Sequence, residues 1–257
     1  MSRAALFAFA AGTALVALLV AERKRPLRQA DRPALRRNLR NAALGASCAA
    51  VVAAVEEPLA QRVARRNLAR GSGIAQHLPP SLRLLGGIVA MDYGFYWWHV
   101  ATHRVPLLWR FHRVHHVDPD MDVSTAVRFH AADMLVSLPW RLVQVRLAGV
   151  SPKALRWWRR FFNASIAFHH SNLRLPGNTD ALLARVLTTP GMHGIHHSRI
   201  EAEQNSNYTS GLAFWDRLHG TFIAGPGTNA VGVNDANAEQ DTKLPAALIA
   251  PFRAERR

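Results

Sequence analysis

The chain has 257 residues, 49% of them hydrophobic, and this length permits one large domain or two small ones. Its formal net charge of +15 favours an anionic partner, either nucleic acid or the headgroups of a membrane. Its one cysteine, Cys48, excludes an internal disulfide and a thiolate metal cluster within one chain, so any bound metal must have nitrogen and oxygen ligands.

Three apolar runs come first along the chain. Residues 4–21 are uncharged and approach the roughly 20 residues that cross a bilayer as a helix, with a cleaved signal peptide as the alternative. Residues 41–55 and 84–98 are shorter, and Asp92 is the one charged residue in the later run. Each short run alone could be a buried helix of a soluble protein, so the prediction of membrane-spanning helices rests on all three runs and their flanks.

Basic residues flank these runs unevenly. The loop 56–81 has four arginines before Ser81, whereas the loop between the first two runs has eight basic residues: Arg23, Lys24, Arg25, Arg28, Arg32, Arg36, Arg37 and Arg40. The positive-inside rule then predicts that the first loop is cytoplasmic and that the third run returns to the cytoplasm. Because the arginines adjoin apolar runs, and no zinc-finger spacing or ribonucleoprotein signature occurs, the predicted partner is a membrane and not nucleic acid.

The rest of the chain divides at charged residues and prolines. Residues 134–150 and 154–170, on either side of Pro152, predict a helical hairpin that five arginines keep shallow in the bilayer. Residues 173–221 are polar and rich in turn formers. The chain beyond Ala224 has little periodicity, so we expect it to be loosely ordered.

Eight of the 13 histidines form three clusters. His99 and His103 are four residues apart, which places both imidazoles on one face of a helix. A second cluster has offsets of three and four residues, and a third repeats these offsets in a distant part of the chain. The second cluster is His112, His115 and His116, and the third is His193, His196 and His197. The repeated spacing indicates an arrangement that chelates metal.

Eight clustered imidazoles predict two metal ions. A lone histidine is usually exposed or hydrogen-bonded, but converging imidazoles would repel one another on protonation, whereas divalent cations use their lone pairs. A tetrahedral zinc site takes at most four protein ligands, so eight histidines exceed the needs of one ion. Imidazole binds iron, zinc, copper and nickel, and the spacing alone does not choose among them.

Two kinds of hydrolytic site lack their signatures in this sequence. A zinc protease helix has glutamate directly after the first histidine of the pair, but Val100 follows His99. No glycine-x-serine-x-glycine elbow is present, and Cys48 is far from the histidines in sequence. Two functions for such a site remain open at this point: a hydrolytic or structural di-zinc site, and a metal carrier without enzymatic activity.

The ordered motifs of residues 92–221 resemble the fatty acid hydroxylase and sterol desaturase superfamily of membrane di-iron enzymes. Beside the clustered histidines, the resemblance rests on Asp92, Tyr96, Phe111, Val114, Arg128, Phe129, His130, His170, Ser171, Asn172, Thr189, Pro190, Met192, Ser198, Asn207, Tyr208, Trp215, Asp216, Arg217, Leu218, Gly220 and Thr221. The chain departs from that pattern at Val100, Ala131, Asp133 and His219, so we expect its pocket shape and substrate to differ from those of better-known members.

The resemblance implies roles for further residues. The eight clustered histidines are implied to be metal ligands, and His170 is implied as a ninth in preference to His169. His130 is either another ligand or the partner of one. Asp92 and Asp216 are the candidate catalytic residues. They are implied to support the ligating histidines, because a ligating histidine needs a partner for its other ring nitrogen.

The resemblance further implies two iron ions, with zinc as an alternative occupant, and O2 as co-substrate in the hydroxylation or desaturation of a fatty acyl chain, sterol or related lipid. Electrons must come from an external ferredoxin, cytochrome or reductase, because no flavin or nicotinamide fingerprint is present. The expected fold is all-α: an integral, multi-pass membrane bundle with a cytoplasmic, histidine-rich di-metal cap. N-terminal helices and basic loops occupy 1–81, a fatty acid hydroxylase-type catalytic domain 82–224, and a tail 225–257.

Overall fold

The regular structure of this protein is helical, as predicted. A computed structural model describes residues 2–30 and 32–253. The longer helices are α1 (Arg3–Lys24), α2 (Ala34–Val51), α3 (Glu57–Arg70), α4 (Arg83–Arg104), α5 (Pro106–His116), α6 (Ala131–Ala148) and α7 (Pro152–His170). The shorter helices are α8 (Thr179–Leu183), α9 (Pro190–His196), α10 (Glu201–Gln204), α11 (Phe214–Leu218), α12 (Ala238–Asp241) and α13 (Leu244–Ile249). A π-helical segment, Val52–Glu56, joins α2 to α3, and 3₁₀ turns occupy Ile74–His77, Val123–Val127 and Ala250–Phe252.

Helices α3, α4, α6 and α7 pack together as a bundle. Small residues on α3, Ala60 and Ala64, lie against Met91 of α4, Val145 of α6 and Leu155 of α7, and all five are buried. Small side chains let helix axes approach closely, so larger residues from the neighbouring helices fill the space between them. This packing brings the C-terminal ends of α4 and α7, where histidines lie, to the same end of the bundle.

Prolines and glycines set the turns at the two ends of the bundle. Val105 is extended and Pro106 begins α5, so the chain turns sharply after α4. At the other end, Gly149 ends α6 with a φ of 68°. A Cβ on Gly73 would overlap the backbone of Gly149, so only glycine permits this close approach.

Two helical stretches are long and apolar enough to cross a membrane by length and composition: Ala5–Lys24 and Ala34–His77. They include the first two predicted runs. Only 6% of the apolar stretch within Ala5–Lys24 is buried inside the protein, which leaves a large apolar surface that suits contact with lipid. A signal sequence can have the same length and composition. The third run lies in α4, which is not among the candidates in the described residues, so a third crossing stays a prediction.

The C-terminal segment differs from the expectation of loose order. Residues up to Arg253 form α12, α13 and a 3₁₀ turn, and Ala247 is fully buried against Leu44 of α2 and Val114 of α5. Asp241 is also buried and pairs with Arg113 of α5 at 2.7 Å. The sequence shows little periodicity here because each helix is short and its stability comes from contacts with distant parts of the chain.

Candidate metal centre

Nine histidines converge in two adjacent groups at the end of the bundle. Within each group, one ligand atom from every histidine lies within 4.8 Å of the others. The first group is His99, His103, His112, His116 and His196, and the second is His115, His170, His193 and His197. The structure therefore brings together all eight clustered histidines and His170, the ninth.

The two repeated motifs contribute to both groups in a crossed pattern. On α5, His112 and His116 belong to the first group, whereas His115 belongs to the second. At α9 the assignment is reversed, because His193 and the residue that ends the helix, His197, join the second group and His196 joins the first. Residues four apart share a helix face, whereas adjacent residues such as His115 and His116 point about 100° apart around the helix axis. Each motif thus spans two neighbouring metal positions.

Hydrogen bonds to backbone carbonyl groups orient four of these rings. Nδ1 of His99 lies 2.6 Å from the carbonyl oxygen of Tyr208, and Nδ1 of His196 lies 2.7 Å from that of Ser206. Nδ1 of His170 lies 2.8 Å from the carbonyl oxygen of Ile166, and Nδ1 of His115 lies 3.2 Å from that of Arg128. Since a carbonyl oxygen only accepts, each Nδ1 carries the proton and each Nε2 presents a lone pair. This is the tautomer required of a ligand.

The remaining nitrogens face one another across short distances. Nε2 of His115 lies 3.0 Å from Nε2 of His170, and Nε2 of His99 lies 3.2 Å from Nε2 of His112. Nε2 of His196 is buried without a hydrogen-bond partner in the described residues. Burying such lone pairs together is costly unless a cation binds them, so the donor set fits two metal ions.

Burial keeps these imidazoles neutral. Desolvation lowers the pKa of His170 to about 3, despite the opposing hydrogen bond to the Ile166 carbonyl. Desolvation, together with the neighbouring histidines, also holds the pKa of His193 well below its usual value. Metal ions bind the neutral form of imidazole, so the folded protein presents its ligands without first losing protons.

His130 and His169 lie outside both groups. His130 begins α6, where its Nδ1 accepts a hydrogen bond from the Ala132 amide at 3.0 Å and its Nε2 lies 3.1 Å from the Leu248 oxygen. His169 is fully buried, with its ring 4.1 Å from that of His193, and neither of its nitrogens has a hydrogen-bond partner among the described residues. His130 thus connects α6 to the C-terminal segment.

Asp92 and Asp216 are buried and bond to the segment 208–221. The Asp92 carboxylate accepts hydrogen bonds from the Leu212 amide at 3.0 Å and the Trp215 indole at 2.9 Å. The Asp216 carboxylate accepts from the Tyr208 amide at 2.8 Å, and the carbonyl group of Tyr208 in turn orients His99. In the described residues neither carboxylate has a hydrogen bond to a histidine of the two groups, and Asp216 is connected to His99 only through the Tyr208 backbone.

A cavity of about 280 Å³ borders both groups. His99 and His112 of the first group line it beside His115, His170 and His193 of the second. Its walls are largely aromatic and apolar and include Phe95, Trp98, Phe129, Trp158, Phe162 and Ile166. An apolar molecule in this cavity would lie next to both metal positions.

Sequence reasoning missed two features of this region. The carbonyl group of Tyr208 orients a histidine, and nothing in a side-chain pattern reveals the role of a backbone oxygen. Glu56 is buried, lines the cavity and pairs with Arg141 and Arg159. The signal for Glu56 was a carboxylate beside an apolar run, matched by arginines in two later helices.

Residues 84–221 match the model of the family described as fatty acid hydroxylase. The chain is 32% identical over 145 residues to the ornithine lipid hydroxylase OlsE of Rhizobium tropici, covering 56% of this chain and 43% of that protein. It is 31% identical over 137 residues to alkylglycerol monooxygenase of Homo sapiens, covering 53% and 29% of the two chains.

A third relative is cholesterol 25-hydroxylase of Homo sapiens, 27% identical over 172 residues, with 60% of this chain and 57% of that protein covered. The chain therefore spans less than two thirds of each of these three relatives. No solved structure gives a significant match.

Proposed function

The chain belongs to the fatty acid hydroxylase family, and from this premise we propose that it is a membrane-bound, non-haem di-iron oxidoreductase. Its reaction is the hydroxylation or desaturation of a lipid with O2 and external electrons. The observation that carries the proposal is the cavity bordered by histidines of both groups, because a substrate there would present a C–H bond to both metal positions.

The nine histidines of the two groups would hold the iron ions, and Asp92 and Asp216 would keep the surrounding segments in place. When bound, a pair of ferrous ions supplies the capacity to reduce O2 and to take hydrogen from an unactivated C–H bond. The protein orients the rings through backbone carbonyl groups and excludes water with aromatic walls. Phe129, for example, stacks on His115 at 4.2 Å between ring centroids.

A lipid substrate is supported by the cavity and by the relatives. The cavity is enclosed largely by apolar and aromatic side chains, which favour a hydrocarbon over a polar metabolite. The three relatives carry names that refer to an ornithine lipid, an alkylglycerol and a cholesterol, and what these have in common is a lipid. A fatty acyl chain, a sterol or a related lipid is therefore the proposed substrate class.

The enzyme is proposed to span the membrane several times, with its metal centre on the cytoplasmic side. The dense group of basic residues between α1 and α2 supports this orientation. A cytoplasmic centre would be accessible to a ferredoxin, cytochrome or reductase, and the basic surface would attract an acidic electron donor.

Metal analysis of the purified protein separates this proposal from its alternatives. We expect close to two irons per chain and O2 consumption when a reductant and lipid are added. Tight zinc binding with no O2 consumption would favour a hydrolytic or structural di-zinc site, and lipid turnover that persists without O2 would overturn the oxygenase. Metal flux across a vesicle membrane would instead indicate a carrier.

A further inference from the structure

One wall of the cavity is charged, and the metal centre does not explain it. Glu56, at the end of the π-helical segment, pairs with Arg141 of α6 at 3.0 Å and with Arg159 of α7 at 2.8 Å, and all three line the cavity. Glu57 also pairs with Arg159. These two carboxylates therefore balance the two arginines, and the ion-pair cluster as a whole is neutral.

Arg141 keeps part of its donor capacity for another partner. Its Nε donates to Ser137 Oγ at 2.9 Å and its Nη1 bonds Glu56, but in the described residues Nη2 meets only the sulfur of Met134, at 3.8 Å. A thioether is a weak acceptor, so this N–H is poorly satisfied. Because Ser137 and Met134 precede Arg141 on α6, the guanidinium points back along the helix towards Asp133.

Whereas Arg141 has a donor to spare, the buried side chain of Asp133 lacks one among the described residues. Its side chain is buried, with the residue only 4% exposed, and it lines the same cavity. Within residues 2–30 and 32–253 its carboxylate accepts no hydrogen bond and forms no ion pair with Arg141. The first turn of α6 favours a negative charge electrostatically, but it does not replace a hydrogen-bond donor.

We propose that Asp133 and Arg141 form a subsite for an uncharged hydroxyl group of the lipid, an inference that rests on the proposed oxidation of a lipid in this cavity. The hydroxyl donates its proton to the Asp133 carboxylate, and its oxygen accepts from Nη2 of Arg141. One hydroxyl satisfies both groups. An anionic headgroup would be repelled by Asp133, because the ion-pair cluster beside it is neutral. An ammonium group has no acceptor for the N–H of Arg141.

The position of the subsite gives it a function in selecting the oxidised carbon. Val127 of the 3₁₀ turn and Asn163 of α7 line the cavity and are exposed, and we place the entry of the lipid between them. A hydroxyl held at Asp133 fixes the depth of its chain relative to His99 and His115 in the same cavity. Oxidation should then occur at one carbon position.

Binding of a long-chain alcohol and of its methyl ether to the iron-loaded protein without reductant tests the subsite. The ether has the same chain and can accept a hydrogen bond but not donate one. We expect the wild type to bind the alcohol about tenfold more tightly, the effect of one hydrogen bond to a charged group. Equal affinities of the wild type for the two lipids would overturn the proposal, whatever any variant does.

Two variants test whether Asp133 causes the preference for the alcohol over the ether. Asp133→Leu should bind the two lipids within about twofold of each other and should spread any product over several carbon positions. Arg146→Gln removes an exposed charge from the same helix, away from the cavity, and should keep the wild-type preference. Iron content and thermal melting report whether each variant is folded. A folded Asp133→Leu protein with the full wild-type preference would overturn the proposal.

Binding and turnover can fail separately. If the protein prefers the alcohol but oxidises neither lipid with O2 and reductant, the hydroxyl subsite stands and the oxygenase proposal fails. If it oxidises both lipids and binds them equally, the oxygenase proposal stands and the subsite is wrong.

Discussion

The metal centre depends on ring orientation as much as on histidine content. Carbonyl groups of Tyr208 and Ser206 hold His99 and His196 of the first group, and those of Ile166 and Arg128 hold His170 and His115 of the second. Each bond fixes the tautomer whose lone pair points into the group. Individual residues can therefore be tested as ligands or as supports of ligands.

Loss of one histidine from each group should affect metal binding, whereas loss of His130 should not. His115→Ala and His196→Ala each remove a converging imidazole, so we expect iron content to fall by about half or more and lipid oxidation to be lost. His130→Ala is the matched control. It should cost about 1 kcal/mol at the start of α6 and keep both irons. Elemental analysis checks all three variants, and iron loss in the His130 variant equal to that in the others would contradict the assignment.

Asp216 should act on the first group alone. Asp216→Asn replaces an acceptor of the Tyr208 amide with a side chain that also carries donors, so the carbonyl group orienting His99 is displaced. We expect iron affinity to fall about 10-fold to 100-fold at one of two sites. Competition with a chelator measures this. Asp235→Asn changes a half-exposed carboxylate outside the centre and should leave both affinities unchanged.

At the scale of elements, the π-helical segment lies where an apolar helix carries a charge into the bundle. Val52–Glu56 interrupts the regular helix between α2 and α3, and π segments occur often at functional sites. The segment ends at Glu56, whose carboxylate bridges α6 and α7 through Arg141 and Arg159. The bridge stabilises the wall of the cavity that α6 and α7 form.

Removing Glu56 should therefore destabilise the bundle more than removing its neighbour. Glu56→Ala leaves two largely buried arginines without their shared partner, and we expect a loss of about 3 kcal/mol in unfolding free energy. Glu57→Ala removes a carboxylate with 37% side-chain exposure and should cost less than about 1 kcal/mol. Denaturant titration in detergent compares them; equal losses would show that Glu56 does not bridge the helices.

Local patterns predicted some elements well and could not predict others. The spacing of His112, His115 and His116 predicted a helix with a chelating face, because helical periodicity is a local property. It could not predict that His115 joins a different group from its neighbours, since that depends on where α7 and α9 pack. The partner of Glu56 was equally hidden, because Arg141 lies 85 residues away along the chain.

At the scale of the molecule, a helical bundle holds the metal centre at one end while α1 projects an apolar surface. The C-terminal segment closes the same end of the bundle, where Ala247 packs on Leu44 and Val114. Composition predicted the two candidate membrane helices, because hydropathy needs no partner. It did not predict the order of the C-terminal segment, whose short helices depend on ion pairs of Asp241 with Arg113 and Arg253.

The exposed apolar helices predict behaviour as an integral membrane protein. Carbonate extraction at high pH strips peripheral proteins, whereas a spanning helix stays in the bilayer because removing it exposes its apolar side chains to water. We expect the whole chain in the membrane pellet after carbonate and in solution after detergent. Recovery in the carbonate supernatant would contradict the membrane assignment.

The proposed reaction is the oxidation of a lipid with O2 at a two-iron centre. The most direct measurement is mass spectrometry of lipids incubated with the iron-loaded protein and a chemical reductant, with and without O2. We expect a lipid that gains one oxygen atom or loses two hydrogen atoms, only when O2 is present. Unchanged lipids under O2, or the same product without O2, would show that the protein is not a lipid oxygenase.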